Sequence, residues 1–213
     1  MRNWFVLALL GFTLLSCKEK VVQIPVCEYK TDDPQLQVYN DLLIELVEEQ
    51  FHNLSFGEVI TDATSFKTIF LSHNSYHREL FGEFRDGLWK TPTPAAGDEI
   101  RPLLSEYGLD NAAIFANFSK AQQKYIASDF QACTFKVGAL GKAENLFELE
   151  SKQKENLIGQ VSFSEIHWNK QRDKGVLYYE FYCGTKCGKG ELISFEKVNG
   201  RWRISDSVQL WVS

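Results

Sequence analysis

The run Val176-Leu177-Tyr178-Tyr179-Glu180-Phe181-Tyr182-Cys183 constrains the fold of this chain more than any other stretch. Side chains alternate across a strand, so Leu177, Tyr179, Phe181 and Cys183 share one face while Val176, Tyr178, Glu180 and Tyr182 share the other. Both faces carry large apolar bodies, as a central strand does. A glycine-rich segment, Gly184 to Gly190, reads as the turn after it, and Glu191 to Val198 as the returning strand. Asn199-Gly200 then supplies a two-residue hairpin turn, because both residues accept the positive φ of type I′. It leads into Arg201 to Val212, where Trp202, Ile204, Asp206 and Val208 are expected on one face.

Upstream, Val161 to Ser164 alternates, and Ile166 and Trp168 continue with the phase shifted, which predicts a bulge near Glu165. The charged stretch Asn169 to Gly175 reads as a turn into the central strand. The last third is therefore an antiparallel meander of about four strands.

Helical spacing governs the earlier part. Asp33-Pro34 pairs an N-cap with a first-turn proline, and Leu36, Tyr39, Leu43, Leu46, Val47 and Phe51 recur on one face. Asp41, Glu45, Glu48 and Glu49 fall mostly on the other face and read as a solvated surface rather than an acid/base pair. Phe66 to Leu71 fits a short strand or part of a helix, and Thr91 to Gly97 a loop. Asp98 to Tyr107, Asp110 to Ala127 and Ala143 to Lys152 are expected as helices. The fold class is α+β, with N-terminal helices packed on a C-terminal antiparallel meander.

Residues 1–16 read as a signal peptide: Arg2 is the positive flank, and Trp4 to Leu15 is apolar but shorter than the ~20 residues a spanning helix needs. Leu14-Leu15-Ser16-Cys17 resembles the lipobox of bacterial lipoproteins. The resemblance implies cleavage before Cys17, lipidation of that cysteine and membrane attachment by its acyl chains. Residues 17–33 then form a tether, and residues 34–213 a single α+β domain. Lys18, with no aspartate after the anchor, resembles lipoproteins sent to the outer membrane of a Gram-negative-type cell envelope, facing the periplasm or the surface.

Five cysteines are present, and with Cys17 acylated four remain. An even number in an exported chain points to disulfides. Cys183 and Cys187 flank one turn and can approach if the hairpin closes between them, which leaves Cys27 for Cys133. The formal net charge is −5, and −6 once Arg2 leaves with the leader. That balance argues against nucleic acid as a partner.

Two apparent chemical motifs are weak. His73 and His77 share a face if their segment is helical, but a bare pair supplies too few metal ligands, so no metal is expected. Gly184 to Lys189 imitates a phosphate loop, yet its glycine spacing is one residue short and strands lie on both sides, so no cofactor is expected.

Gly200-Arg201-Trp202-Arg203-Ile204, closing a helix-then-meander chain, resembles the Gly-x-Trp-x-Ile signature of the cystatin-like cone in the nuclear-transport-factor-like superfamily. The resemblance implies a curved sheet around helices with a pocket. The whole chain also looks like uncharacterised bacterial lipoproteins that carry a Cys-Gly-x-x-Cys-Gly-x-Gly turn, here Cys183 to Gly190.

The expected role is a non-catalytic binding or interaction protein of the envelope, such as an inhibitor or immunity protein, with a protein or a small apolar molecule as partner. The alternative is a small isomerase or hydrolase whose cone-shaped pocket uses Glu165, His167, Glu180 or Asp206, with Tyr178 and Tyr182 beside them. A subunit of an envelope complex is a third reading.

Overall fold

A computed structural model describes residues 29–51, 63–72, 102–105, 107, 124–140, 156–184 and 186–212. The leader, Cys17, Cys27, the His73/His77 pair, the 91–97 loop and the 143–152 segment lie outside these residues, as does the 110–127 segment up to residue 123. The first helix, α1, covers Pro34–Glu45 and continues as a π-helical turn over Leu46–Phe51. Asp33 caps it as expected, accepting from the N–H groups of Gln35 at 2.9 Å and Leu36 at 3.2 Å. Among the described residues no helix is long and apolar enough to cross a membrane.

Seven strands form one sheet: β1 Thr68–Leu71, β2 Lys136–Ala139, β3 Leu157–Phe163, β4 His167–Trp168, β5 Lys174–Gly184, β6 Cys187–Val198 and β7 Arg201–Val212. The spatial order is β2-β1-β3-β5-β6-β7, with β4 paired to β5. From β3 to β7 the pairing is antiparallel, which is the expected meander. The sheet exceeds the expected four or so strands because β1 and β2 add to it in parallel and the expected first meander strand is divided into β3 and β4. Thr68–Leu71 is too short for its periodicity to separate strand from helix; its pairing with β3 decides the matter.

The strand β5 is central and filled on both sides. One face, with Leu177, Tyr179 and Phe181, packs against α1 and the π turn, where Phe51 stacks on Phe181 at 3.7 Å between centroids. The opposite face, with Val176 and Tyr178, packs with Leu192, Val208 and Leu210 against Leu103, Leu104 and Tyr107. Residues 102–105 form a helical turn within the expected 98–107 helix.

One turn reading changes. The β5–β6 connection is shorter than the seven-residue loop expected, because Gly184 already pairs with Cys187 and Gly188 to Gly190 belong to β6. Cys183 and Cys187 are disulfide-bonded across this turn, their Cα atoms 5.2 Å apart. Cys133 is also disulfide-bonded, and its proposed pairing with Cys27 falls outside the described residues. Asn199 (φ 52°) and Gly200 (φ 84°) form the turn as expected. In β7 the single expected face is broken: the β6–β7 register shifts between Ser194 and Phe195. Trp202 and Ile204 therefore join the helix-side core, while Val208 joins the opposite core and Asp206 stands exposed. A bulge moves every later side chain to the other face.

The solvated helix face is a further correction. Asp41 and Glu45 are buried. Asp41 accepts from the N–H of Trp202 at 3.1 Å, and Glu45 from the N–H of Ile204 at 3.1 Å. Glu48 accepts from the Thr134 hydroxyl at 2.7 Å. The helix lies along the outer edge of β7, and its carboxylates stand where the next strand's carbonyls would be. Burial pushes all three carboxyls above the ordinary range, against the pull of these hydrogen bonds and of Arg201 or Arg203. Only Glu49 of the four is exposed, as expected.

Candidate functional site

Glu180 projects from the centre of β5 and is fully buried. The Tyr178 hydroxyl donates to its Oε1 at 3.0 Å, and Trp211 Nε1 donates to that hydroxyl at 2.7 Å. The cross-strand register explains the grouping: Ser162 and Gly190 flank Glu180 on the same face, and Gly190 pairs with Trp211. A Cβ at Gly190 would run into both Trp211 Nε1 and the Tyr178 hydroxyl, so glycine is what lets the indole reach the phenol. Burial, and then the charge of Glu180, hold the Tyr178 hydroxyl well above its ordinary pKa. It therefore remains a donor at every physiological pH.

Tyr182 joins this group, its ring centroid 5.3 Å from that of Trp211 and its charge acting on Tyr178, but Glu165, His167 and Asp206 do not. Glu165 is exposed in the break between β3 and β4, where the expected bulge is instead an interruption of the strand. His167 is half-buried on β4; burial lowers its pKa, while the Glu165 charge acts in the opposite sense. Asp206 is exposed and accepts from the N–H of Ser207 at 2.8 Å. His167 pairs with Val176, Val176 with Ser194 and Ser194 with Asp206. Three strand spacings of about 4.8 Å place His167 and Asp206 roughly 14 Å apart across the sheet. Glu180 lies four residues along β5 from that row, roughly 13 Å away. Tyr178 and Glu180 are brought together, Glu165 and His167 are within electrostatic reach of each other, and Asp206 stands apart.

A polar group that the residue order did not reveal sits on the helix side. Lys189 Nζ donates to Gln50 Oε1 at 2.6 Å and pairs with Glu191 Oε1 at 3.2 Å. The Tyr179 hydroxyl donates to the other Glu191 oxygen. The ammonium also lies 5.7 Å from the Phe51 ring centroid and 5.6 Å from that of Tyr179. The wider π turn carries Gln50 and Phe51 together to this place, a kind of helix irregularity that recurs at functional sites. Once Lys189 is assigned to β6 instead of the turn, strand alternation puts it on the face of Glu191; that was the available signal.

An open concavity lies elsewhere. A cleft of about 530 Å³ is walled by Tyr29–Asp32, by Pro34 and Gln37 of α1, and by Lys197 and Asn199–Trp202 of the β6–β7 hairpin. Its volume is in the range of about 300–1,000 Å³ typical of small-molecule sites. Lys197 holds its ammonium 5.6 Å from the Trp202 ring centroid, and Gly200 borders open space. Arg201 Nη2 is shut off from solvent without a hydrogen-bond partner. Among the described residues no cluster of three or more His, Cys, Asp or Glu is placed to hold a metal ion.

Compared with known proteins, the chain matches no family model, no curated protein and no solved structure.

Proposed function

We propose that this is a lipid-anchored cell-envelope protein with a non-catalytic binding role, of which an inhibitor or immunity protein is one form. The observation that carries the reading is the cleft between the 29–32 segment and the β6–β7 hairpin. It opens where the proposed tether enters the domain, beside the Asn199-Gly200 turn of the last hairpin. The lipobox-like Leu14 to Cys17 and the signal-peptide pattern before it support the anchor. The resemblance to the cystatin-like cone is the fold-level form of the same reading.

Mass spectrometry of the mature N terminus tests the anchor: a diacylated Cys17 is expected, and an unmodified one refutes it. Deletion of the gene is expected to alter sensitivity to envelope-lytic enzymes. Unaltered sensitivity removes the inhibitor or immunity form.

One observation favours a second reading, a small enzyme of the isomerase or hydrolase type. Glu180 is a buried carboxylate hydrogen-bonded to a tyrosine, a combination suited to proton transfer. A structure of the whole domain with Glu180 walled off from any cavity would end that reading.

A further inference from the structure

We infer that the cleft takes a ligand bearing a phosphoryl dianion, held by Arg201, Lys197 and Lys30. The inference deepens the binding reading above and rests on it.

The charge of the cleft runs against that of the chain. The whole protein carries a formal net charge of −5, whereas the cleft presents Lys30, Lys197 and Arg201 against one lining carboxylate, Asp32. A second carboxylate, Asp41, stands behind Gln37, but both of its oxygens are engaged. Oδ1 accepts from Gln37 Nε2 at 3.0 Å and Oδ2 from the Trp202 N–H at 3.1 Å. Asp41 and Glu48 therefore act on Arg201 through charge, without a hydrogen bond to its guanidinium.

Arg201 is the anchoring residue. Its position is set by the hairpin: it pairs with Val198 across the Asn199-Gly200 turn, which is among the tightest connections a chain makes. Its Nη2 is buried without an acceptor, so the guanidinium enters the cleft wall with hydrogen-bonding capacity unused. A buried unsatisfied donor costs roughly 1–3 kcal/mol. An anionic acceptor in the cleft, with a small shift of the side chain, would relieve that cost.

Three separate cations suit a phosphoryl group better than a carboxylate. A phosphate monoester carries about −1.5 to −2 charge at pH 7 and three strong acceptor oxygens, whereas a carboxylate has one charge and two oxygens. The guanidinium fork matches phosphate geometry, and ammonium groups act as point charges around it. The two lysines are exposed and can close on an anion, while Arg201 is half-buried and placed in advance. Open space beside Gly200 leaves a path for the rest of the ligand. The phosphoryl group could belong to a soluble ester or to a phosphate-bearing lipid near the membrane end of the tether.

The test is calorimetric titration of the full mature protein in neutral detergent, with glycerol 3-phosphate as probe and succinate in a parallel arm. Saturable binding of glycerol 3-phosphate is expected, falling with added salt. Arg201→Gln should weaken it about tenfold or more, the loss of one charge-assisted hydrogen bond. Lys197→Gln, at an exposed position, should weaken it as well, and Lys136→Gln on β2 should leave it unchanged. Nanodiscs containing phosphatidic acid that compete with the soluble ester, where phosphatidylcholine nanodiscs do not, would assign a lipid source; failure to compete would assign a soluble one. Binding equal in wild type, Arg201→Gln and Lys197→Gln overturns the site. Succinate binding that depends on Arg201, with no phosphate binding, overturns the phosphoryl class and leaves the binding cleft standing. If neither anion binds, the phosphoryl site falls, while the binding reading stands or falls separately on sensitivity to envelope-lytic enzymes.

Discussion

Replacing Asp41 or Glu45 on α1 probes whether the helix acts as a substitute strand at the edge of the sheet. Asp41→Ala leaves the buried Trp202 N–H without its acceptor, which costs about 1–3 kcal/mol for an orphaned donor. Glu45→Ala does the same to Ile204, whose environment is only part-buried, so about 1–2 kcal/mol is expected. The pairing of Glu45 with Arg203, at 3.7 Å, adds little, because the arginine side chain is 41% exposed and solvent screens it. Against these losses stands the cost of holding two carboxylates out of water, visible as their raised pKa values. Asp41→Asn and Glu45→Gln keep an oxygen acceptor and shed that cost, so each should stay within about 1 kcal/mol of wild type. Urea unfolding followed by tryptophan fluorescence measures this, with midpoints compared at constant m. The alanine variants should also associate at high concentration, since an uncapped edge offers its N–H groups to another chain. If the amide variants fall as far as the alanine variants, charge and not the acceptor is what matters. If the alanine variants stay within about 0.5 kcal/mol of wild type, the β7 edge does not rely on the helix, and the reasoning fails.

Protonation should divide the molecule. Burial raises Asp41, Glu45 and Glu48 above their ordinary 3.8 and 4.5, so the folded state binds protons ahead of the unfolded chain. Their contribution to stability is gained as pH falls through the raised values and lost as it rises through them. A triple Asp41→Asn, Glu45→Gln, Glu48→Gln variant should flatten that part of a stability profile taken by urea midpoints. His167 works in the opposite sense: burial lowers it from 6.5, so its contribution is lost as pH falls below that value, and His167→Gln should remove the loss. Gly190→Ala should destabilise by about 1–3 kcal/mol and change the fluorescence of Trp211, because the new methyl forces apart the indole and the Tyr178 phenol. Cys183→Ser with Cys187→Ser should cost roughly 2 kcal/mol, the chain-entropy value for so short a loop, read as a shift in urea midpoint.

The parts of the fold legible in the sequence are those written locally. Asp33-Pro34 announces the start of α1, Asn199-Gly200 the last hairpin, and the two-faced run through Val176 to Cys183 the central strand. In each, a few neighbouring residues satisfy a backbone requirement that exists wherever the segment is placed. The parallel strands β1 and β2 are not written this way. Each is four residues long, and what makes Thr68–Leu71 a strand is β3, almost ninety positions later in the chain. The β7 bulge has a similar origin: alternation from Trp202 to Val208 is continuous on paper, and only pairing with β6 shows where one residue drops out of register.

The candidate sites divide along the same line. The pairing of Tyr178 with Glu180 could be read, since residues two apart on a strand share a face. The Trp211 link could not, because it depends on Gly190 on the strand between them. The helix carboxylates teach the converse. Polar residues at helical spacing usually mean a solvated face, because burying a carboxylate without donors is costly. Asp41 and Glu45 escape that rule because a sheet edge is the one surface that presents a row of backbone N–H groups with no partners of their own. An acidic stripe beside an apolar one on a helix that precedes a meander is therefore ambiguous in sequence. It can face water, or it can be the acceptor row that ends the sheet, and the choice between them depends on which strand lies at the edge.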